Sequence, residues 1–355
     1  MPNGPAPLRD GVVGVPAGGN TPGCLDHGSW TSTGRGGSAL AVEDAEARVV
    51  KGCGRCRTGH RWQPRTVGEN GGMMVLSIQS AVAHGHVGNS AAVFPLQRMG
   101  VEVVPVHTVN FSNHTGYGAW RGPVMSAQDV ADVITGVEER GVFPKVDVVL
   151  SGYQGGTGIG DVIVDAVRRV KAANPSAIYA CDPVMGNARS GCFVAPEIPD
   201  LLRDRVVPVA DVITPNQFEL GYLTGTEPST IESTLASADL ARAMGPSTVL
   251  VTSVERPDRE EGTIEMVVVA DAGAWVVRTP LLPFKANGSG DVTAALFSAH
   301  YRATGDAGAS LERTASSVFD LIEATYRSGE RELQIVQAQQ FFAEPRLQFT
   351  ASRIR

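Results

Sequence analysis

The feature that most constrains the fold is an alternation, from Met73 onward, of short apolar runs with longer amphipathic segments. The apolar runs have the length of strands and no polar face, as is typical of parallel strands buried on both sides. They predict strands at residues 74–79, 101–107, 146–151, 177–182, 211–214 and 248–253. The clearest helices lie at 126–140 and 158–173. This alternation predicts an α/β fold, an open and mostly parallel sheet with helices on both faces.

The first 72 residues differ in character from the rest of the chain. They hold 16 of the 41 glycines and carry a charge of +2, from eight basic and six acidic residues. Such a segment buries too little apolar surface to offset the entropy of ordering. We therefore predict a low-complexity extension at 1–72, either disordered or preceding the true start at Met73 or Met74, and one domain at 73–355.

A zinc site is an alternative for this extension. Cys24 and His27, like Cys53 and Cys56, are separated by two residues, which is the spacing in each half of a zinc knuckle. Thiolate and imidazole are ligands that zinc prefers. A zinc-binding interaction module at 1–72 therefore stays open.

Charge and hydropathy exclude several classes of function. With 37 acidic and 30 basic residues the net charge is -7, which does not favour nucleic acid or an anionic membrane as partner. Five cysteines without a regular framework favour a reducing compartment. No apolar run approaches the ~20 residues of a membrane span, and no signal peptide pattern begins the chain. We expect a cytoplasmic protein that acts on a small molecule.

Polar clusters follow several of the predicted strands. They lie at residues 79–89, 108–120, 182–186 and 214–220. Alone, each has an ordinary explanation, such as a surface loop, an Asp-Pro turn at Asp182, or a carboxylate at a helix N-terminus for Glu219. Because the carboxyl ends of parallel strands meet at one edge of the sheet, we expect these clusters to face a single cleft.

A further cluster at 287–296 carries the sharpest chemical signal. Small residues precede a helix whose apolar face contains Val292 and Leu296, and the unpaired amides of a helix N-terminus bind phosphate well. Asp291 would repel a phosphate there, but it suits a base that takes a proton from an alcohol. The alternative is a plain aspartate in the first turn of a helix.

Together these segments resemble the pyridoxal kinases of the ribokinase-like superfamily, over about residues 73–350. The resemblance implies a three-layer α/β/α fold. The matching motifs, in the family's order, are Gln79-Ser80, Gly85 to Asn89, Phe111-Ser112-Asn113-His114-Thr115-Gly116-Tyr117, Ser151-Gly152-Tyr153, Asp182-Pro183-Val184-Met185-Gly186, Thr214-Pro215-Asn216-Gln217-Phe218-Glu219, Gly288-Ser289-Gly290-Asp291 and Glu332-Leu333-Gln334-Ile335-Val336. The string from Phe111 to Tyr117 is the most specific of them.

The resemblance implies roles for individual residues. Asp291 would activate the substrate's 5'-hydroxyl, with an anion hole formed by Gly288, Ser289 and Gly290. The substrate would be bound by Ser80, Val87, Val109, Phe111, Thr115, Gly116, Tyr153 and Asp291. ATP would be bound by Asp182, Thr214, Asn216, Glu219, Thr252, Ser253, Thr279, Pro280, Leu281 and Leu282. Mg²⁺ would be held by Asp182 and Glu219, and a monovalent cation stays open.

The chain departs from the family pattern at three places. Asn187 stands where some members have a second acid, which puts direct metal ligation by that loop in doubt. Thr252 stands where some have lysine, which removes a cation from the phosphate side. The segment 282–288 is shorter than in many relatives, so the adenine contacts are not defined by the resemblance.

The function that the resemblance implies is ATP- and Mg²⁺-dependent phosphorylation of pyridoxal, and also of pyridoxine and pyridoxamine, in vitamin salvage. A cytoplasmic homodimer is expected, with no nucleic-acid or membrane partner. The polar, ring-bearing stretch 112–124 is expected to cover the site and exclude water. Two alternatives stay open: a hydroxymethylpyrimidine-type kinase of the same superfamily, and a non-catalytic carrier of pyridoxal 5'-phosphate.

Overall fold

A single nine-stranded sheet organises the chain in a computed structural model that describes residues 72–285 and 287–355. The strands are β1 (Met74–His84), β2 (Glu102–Asn113), β3 (Val148–Ser151), β4 (Ile178–Cys181), β5 (Gly186–Asn187), β6 (Gly191–Cys192), β7 (Val212–Ile213), β8 (Thr248–Val254), β9 (Thr263–Ala270), β10 (Gly273–Pro280) and β11 (Ser352–Arg353). The helices are α1 (Asn89–Arg98), α2 (Ala127–Glu139), α3 (Ile159–Ala173), α4 (Ile198–Leu201), α5 (Gln217–Thr224), α6 (Ile231–Ala243), α7 (Ser289–Thr304), α8 (Ala307–Ser328) and α9 (Gln340–Ala343).

The strand order of the main sheet is β11-β10-β9-β8-β7-β4-β3-β1-β2, and β5 pairs with β6 in a separate small hairpin. All pairs from β2 to β8 are parallel, whereas β8, β9, β10 and β11 pair antiparallel. The predicted α/β fold with a mostly parallel sheet is confirmed. The β9–β10 hairpin was missed, because its strands carry charged residues such as Glu265 and Arg278 and no helix separates them.

The first two strands are longer than predicted. Residues 80–84 and 108–113, which the sequence assigns to loops, extend β1 and β2 toward the carboxyl edge. The pairing continues past an irregularity after Gln79, with Ala81 opposite Asn110 and His84 opposite Asn113. The backbone hydrogen bonds of this extension override the polar composition, which by itself resembles a loop.

Two cores, one on each face of the sheet, explain why the strands lack a polar side. Along β3, Val149 packs into the core beneath α2 and α3, whereas Val148 and Leu150 point to the core beneath α1, α7 and α8. Along β8, Val249 and Val251 take the first face and Leu250 the second. Successive side chains of a strand point to opposite faces, so both faces must be covered by helices. The predicted three-layer arrangement follows.

The signals predicted for α2 are present where the sequence places them, and the structure shows a further cap at α5. The Ser126 hydroxyl caps α2 by accepting the N–H of Asp129, and Gly141 follows the helix with a φ of +69°. At α5, the Asn216 side chain accepts the N–H of Glu219, whose carboxylate accepts the N–H of Asn216 in return. Such a capping box stabilises a helix N-terminus and fixes where α5 begins.

The predicted extension at 1–72 lies outside the described residues except for Gly72, and so do the cysteines and histidine of the zinc alternative. The division into 1–72 and 73–355 therefore stays a prediction. Within the described part of the chain, no helix is both long enough and apolar enough to cross a membrane.

Candidate active site

An apolar cluster, which we call the apolar slot, lies at the carboxyl ends of β1, β2 and β3. It is separate from the two cores, with Val82, Val87, Val109 and Phe111 buried and Tyr153 packed against them. The structure thus brings together the apolar residues predicted to contact the substrate. Val82 was missed, because sequence analysis placed it in a loop rather than on β1. A slot of this kind suits a flat ring.

Polar groups flank this slot. Ser80 is buried on β1, and a Cβ added at Gly88 would overlap the Ser80 hydroxyl and carbonyl, so the turn after β1 folds back onto Ser80. Thr115 and Gly116 lie in an exposed 3₁₀ turn after β2, where His114 Nδ1 accepts the N–H of Gly116 at 3.0 Å. A Cβ on Gly116 would lie 3.8 Å from Asn287 Nδ2, which puts this turn beside the start of α7.

The start of α7 is packed against the turn after β1. Gly288 has a φ of +88°, and a Cβ added there would overlap the carbonyl oxygen of His86. Three positions later in the chain, the Asp291 carboxylate lies close enough to the N–H of Gly88 for that group to lower its pKa. Val292 and Leu296 are fully buried beneath, as the sequence predicts. The first amides of α7, which have no intrahelical acceptor, therefore open beside the substrate slot.

A cavity of about 1280 Å³ opens beside the first turn of α7. Its wall includes two residues of the proposed anion hole, Ser289 and Gly290. Seven of the residues predicted to contact ATP also line it: Asn216, Thr252, Ser253, Thr279, Pro280, Leu281 and Leu282. Phe284, Phe319 and Ile322 add an apolar end. The volume and the mixture of apolar and polar groups suit a nucleotide.

The remaining three residues of the predicted ATP set do not line this cavity. Asp182, Thr214 and Glu219 are buried and are not among the lining residues. Thr214 Oγ1 forms no hydrogen bond of standard geometry among the described residues, although it lies close enough to Asp182 to favour the ionised carboxylate. A buried hydroxyl without a partner is a costly arrangement that a bound ligand or water would relieve.

Three carboxylates lie close enough to perturb one another. Burial raises the pKa of Asp182 well above its usual range, and the charges of Glu219 and Asp291 raise it further. Burial also raises the pKa of Glu219 to about 7 and that of Asp291 to about 6. Among the described residues, no Lys or Arg contributes to the shift of any of these three pKa values. Clustered carboxylates with raised pKa values mark a candidate functional site.

Glu219 has a structural task as well. Its Oε1 accepts the N–H groups of Met185 at 2.9 Å and Gly186 at 3.3 Å, while Oε2 caps α5. Asn216 Nδ2 donates to the Gly186 carbonyl at 2.8 Å. The interpretation of Glu219 as a carboxylate at a helix N-terminus, made from the sequence, is therefore correct in part. The side chain also ties the segment after β4 to α5.

Comparison with known proteins places the chain in a family. Residues 145–335 match the family model described as phosphomethylpyrimidine kinase. Pyridoxal kinase PdxY of Leifsonia xyli subsp. xyli is 74% identical over 282 residues, which cover 79% of this chain and 100% of the relative. Pyridoxal kinase PdxY of Corynebacterium diphtheriae is 63% identical with the same coverage. This chain belongs to the pyridoxal kinase family.

Solved pyridoxal kinases share the fold. The enzyme of Leishmania donovani, in complex with ADP and pyridoxamine, superposes with a TM-score of 0.75 at 27% identity, covering 79% of this chain and 99% of that chain. Pyridoxal kinase of Trypanosoma brucei gives a TM-score of 0.69 at 30% identity, covering 79% and 98%. The ribokinase-like fold expected from the motifs is confirmed.

The departures from the family pattern have structural consequences. Asn187 Oδ1 accepts the N–H groups of Arg189 and Ser190, so it shapes the tip of the β5–β6 hairpin. This presents Arg189 at the cavity wall, where Lys285 also lies. Sequence reasoning missed both cations. The sequence did offer a signal for each: Arg189 follows Asn187 by two positions, and Lys285 lies within 282–288.

The acidic groups fit Mg²⁺ held through water. In the described residues no group of three or more His, Cys, Asp or Glu side chains is arranged to ligate a metal directly. Mg²⁺ keeps several waters and is usually bound by one or two carboxylates together with substrate phosphates. The oxygen donors of Asp182 and Glu219 match that chemistry.

Replacing Gly288 by alanine is expected to destabilise this pyridoxal kinase strongly. A positive φ costs a non-glycine residue about 1–2 kcal/mol, and the overlap with the His86 carbonyl adds about 1–3 kcal/mol. Gly305→Ala is the matched control, because Gly305 has a φ of +68° at the end of α7 but nothing within 4 Å. Urea unfolding of both variants measures the difference, and equal losses of stability would contradict the proposed packing.

Asp182→Asn is expected to stabilise the protein at pH 8 by about 0.5–2 kcal/mol. The folded chain raises the pKa of Asp182, so wild-type stability falls as pH rises from about 4 through the folded value. Asparagine does not ionise, so the difference in the free energy of unfolding between the variant and the wild type should widen from pH 5 to pH 8. Urea unfolding at both pH values measures it, with exposed Glu102→Gln as control. A difference in unfolding free energy that does not change with pH would contradict the repulsion of Asp182 by Glu219 and Asp291.

Proposed function

We propose that this protein phosphorylates the 5'-hydroxyl of pyridoxal with ATP, and also that of pyridoxine and pyridoxamine. The observation that carries the proposal is the position of Asp291, whose carboxylate lies close enough to the Gly88 N–H to be stabilised in its ionised form, next to Ser289 and Gly290 of the cavity wall. Relatives at 74% and 63% identity are named pyridoxal kinases. A vitamin ring in the slot and a triphosphate in the cavity would meet at this carboxylate.

The chemical step needs a base and an anion site. The 5'-oxygen attacks the terminal phosphorus of ATP, the bond from that phosphorus to the bridging oxygen breaks, and ADP leaves. Asp291, whose pKa burial raises to about 6, is ionised at neutral pH and accepts the hydroxyl proton. The first amides of α7 face the phosphoryl group and stabilise its charge. Positioning and electrostatics supply most of the catalysis in such transfers.

Asp182 and Glu219 are the residues that would hold Mg²⁺, through water and together with the phosphates. When bound, the ion neutralises charge on the triphosphate. It would also offset the repulsion among the three carboxylates, which no cation of the described chain relieves. Thr214 lies beside Asp182 and offers its unpartnered hydroxyl to the same region.

Arg189 and Lys285 are proposed to attract the phosphates of ATP electrostatically. Both line the nucleotide cavity, and Arg189 sits on a hairpin that Glu219 and Asn216 fix in place. They supply positive charge on the phosphate side even though Thr252 stands where some family members have lysine. A cytoplasmic homodimer is proposed on family resemblance alone.

A hydroxymethylpyrimidine-type kinase is the second candidate, because residues 145–335 match the phosphomethylpyrimidine kinase model. Assaying ATP consumption with pyridoxal and with hydroxymethylpyrimidine side by side distinguishes the two. A non-catalytic carrier of pyridoxal 5'-phosphate would keep the slot but release no ADP when pyridoxal and ATP are added.

Asp291→Asn is expected to lower kcat by about 10² to 10⁴, the range for loss of a general base, while ATP binding and the fold persist. In the wild type, kcat/KM for pyridoxal should fall on the acid side with a midpoint near the raised pKa of about 6. A coupled assay of ADP release from pH 5 to 9 measures both. Asp132→Asn, an exposed change on α2, is the control. Wild-type turnover in Asp291→Asn would exclude the proposed base.

Arg189→Gln is expected to raise the KM for ATP by about three- to tenfold with little change in the KM for pyridoxal. One attraction of about 1 kcal/mol in a partly screened cavity gives a change of that size. Because added salt screens this attraction, the difference from wild type should shrink at high ionic strength. Arg140→Gln makes the same charge change at an exposed position after α2. An equal effect of the two variants would contradict a local role for Arg189.

A further inference from the structure

The segment after α8 touches the tip of the substrate loop, which we define as residues 112–124. Tyr117 Oη donates a hydrogen bond of 2.6 Å to Glu332 Oε1. The Arg331 guanidinium lies 3.7 Å from the centre of the Tyr117 ring, and its Nη2 donates to the Gly116 carbonyl at 2.8 Å. Two consecutive residues, more than 200 positions along the chain, therefore hold one turn of the loop.

Glu332 also contacts the opposite side of the substrate slot. Its Oε2 accepts the N–H of His86 at 3.2 Å, and the carboxylate lies directly against Gly85. The carbonyl of that same His86 packs on Gly288 at the start of α7. One carboxylate therefore joins the loop after β2 to the turn after β1, and that turn supports the helix that carries Asp291.

The base of the substrate loop is fixed independently of Glu332. The loop returns beside β2, where Asn110 N–H donates to Pro123 O at 3.0 Å and Ser112 N–H donates to Arg121 O at 2.7 Å. The tip has less support of its own, because Thr115, Gly116 and Tyr117 are not buried. Its position over the slot thus depends on contacts made outside the loop.

The charges around the tip agree with this arrangement. The hydrogen bond to Glu332 raises the pKa of Tyr117, so the phenol stays protonated and donates at neutral pH. Burial lowers the pKa of His114, with Arg331 and Lys285 adding to this effect and Glu332 opposing it. The neutral imidazole keeps Nδ1 available to accept the Gly116 N–H.

We propose that Glu332 is a positioning residue for substrate binding: by bridging Tyr117 and the His86 amide, it holds the Thr115–Tyr117 turn over the slot. The inference rests on the proposed function for the identity of the substrate. Thr115 and Gly116 would contact the vitamin ring from this turn, whereas ATP would lie in the large cavity, whose wall includes none of Thr115, Tyr117 or Glu332. Loss of the bridge therefore weakens binding of the vitamin and leaves the nucleotide unaffected.

The test is a double-mutant cycle in the full-length chain. Glu332→Gln keeps the shape but cannot accept both hydrogen bonds, and Tyr117→Phe removes the phenol. Each is expected to raise the KM for pyridoxal about five- to tenfold, since a hydrogen bond to a charged group is lost, with kcat and the KM for ATP within about twofold of wild type. The double variant should be little worse than either single variant, because both remove one bridge.

Glu330→Gln is the matched control, because Glu330 is exposed two residues earlier in the same segment. A second readout needs no turnover: chymotrypsin cleavage after exposed Tyr117, at the tip of the substrate loop, should be faster in Glu332→Gln, with an unchanged melting temperature. An unchanged KM for pyridoxal, equal shifts for both substrates, or additive effects would overturn the proposal. If wild type does not phosphorylate pyridoxal, the proposed function fails, while the chymotrypsin comparison still tests the bridge.

Discussion

The contact between the turn after β1 and the start of α7 determines how the site is assembled. Gly288 packs on the His86 carbonyl, and the Asp291 carboxylate lies near the Gly88 N–H, so two segments some 200 residues apart meet at one point. The apolar slot lies on one side of this point and the large cavity on the other. A group transferred between ligands bound in these two spaces would pass close to the Asp291 carboxylate.

Electrostatic repulsion is concentrated at the same place. Asp182, Glu219 and Asp291 are drawn together in a region where burial already disfavours their charged forms. Such an arrangement costs folding stability, and natural proteins retain such costs mainly at functional sites. A bound cation would offset the negative charge of these three carboxylates, and the amides of α7 would stabilise the negative charge of a phosphate. A charge arrangement that is unfavourable in the free protein would therefore be complementary to a metal–triphosphate ligand.

The sequence was sufficient to predict the sheet class, the cap of α2 and the meeting of several polar segments at one edge of the sheet. These depend on local signals: buried runs of strand length, a serine three residues before an aspartate, and glycines preceding an apolar helix face. It was insufficient for the ends of β1 and β2 and for the β9–β10 hairpin, since pairing with a neighbouring strand sets those limits. It also did not indicate Val82, Arg189 or Lys285, whose surroundings come from distant segments.

The sequence by itself determined that a βαβ chain would bring polar clusters to one edge of a sheet, because strand polarity and right-handed crossovers leave little freedom. It also determined which side chains could act as base, anion site and ring contact. Only the tertiary structure decided that Glu219 would tie the β5–β6 hairpin to α5 and that Glu332 would join Tyr117 to His86. The physical reason is that a hydrogen bond between residues far apart in the sequence depends on how the whole chain packs, which the local sequence does not indicate.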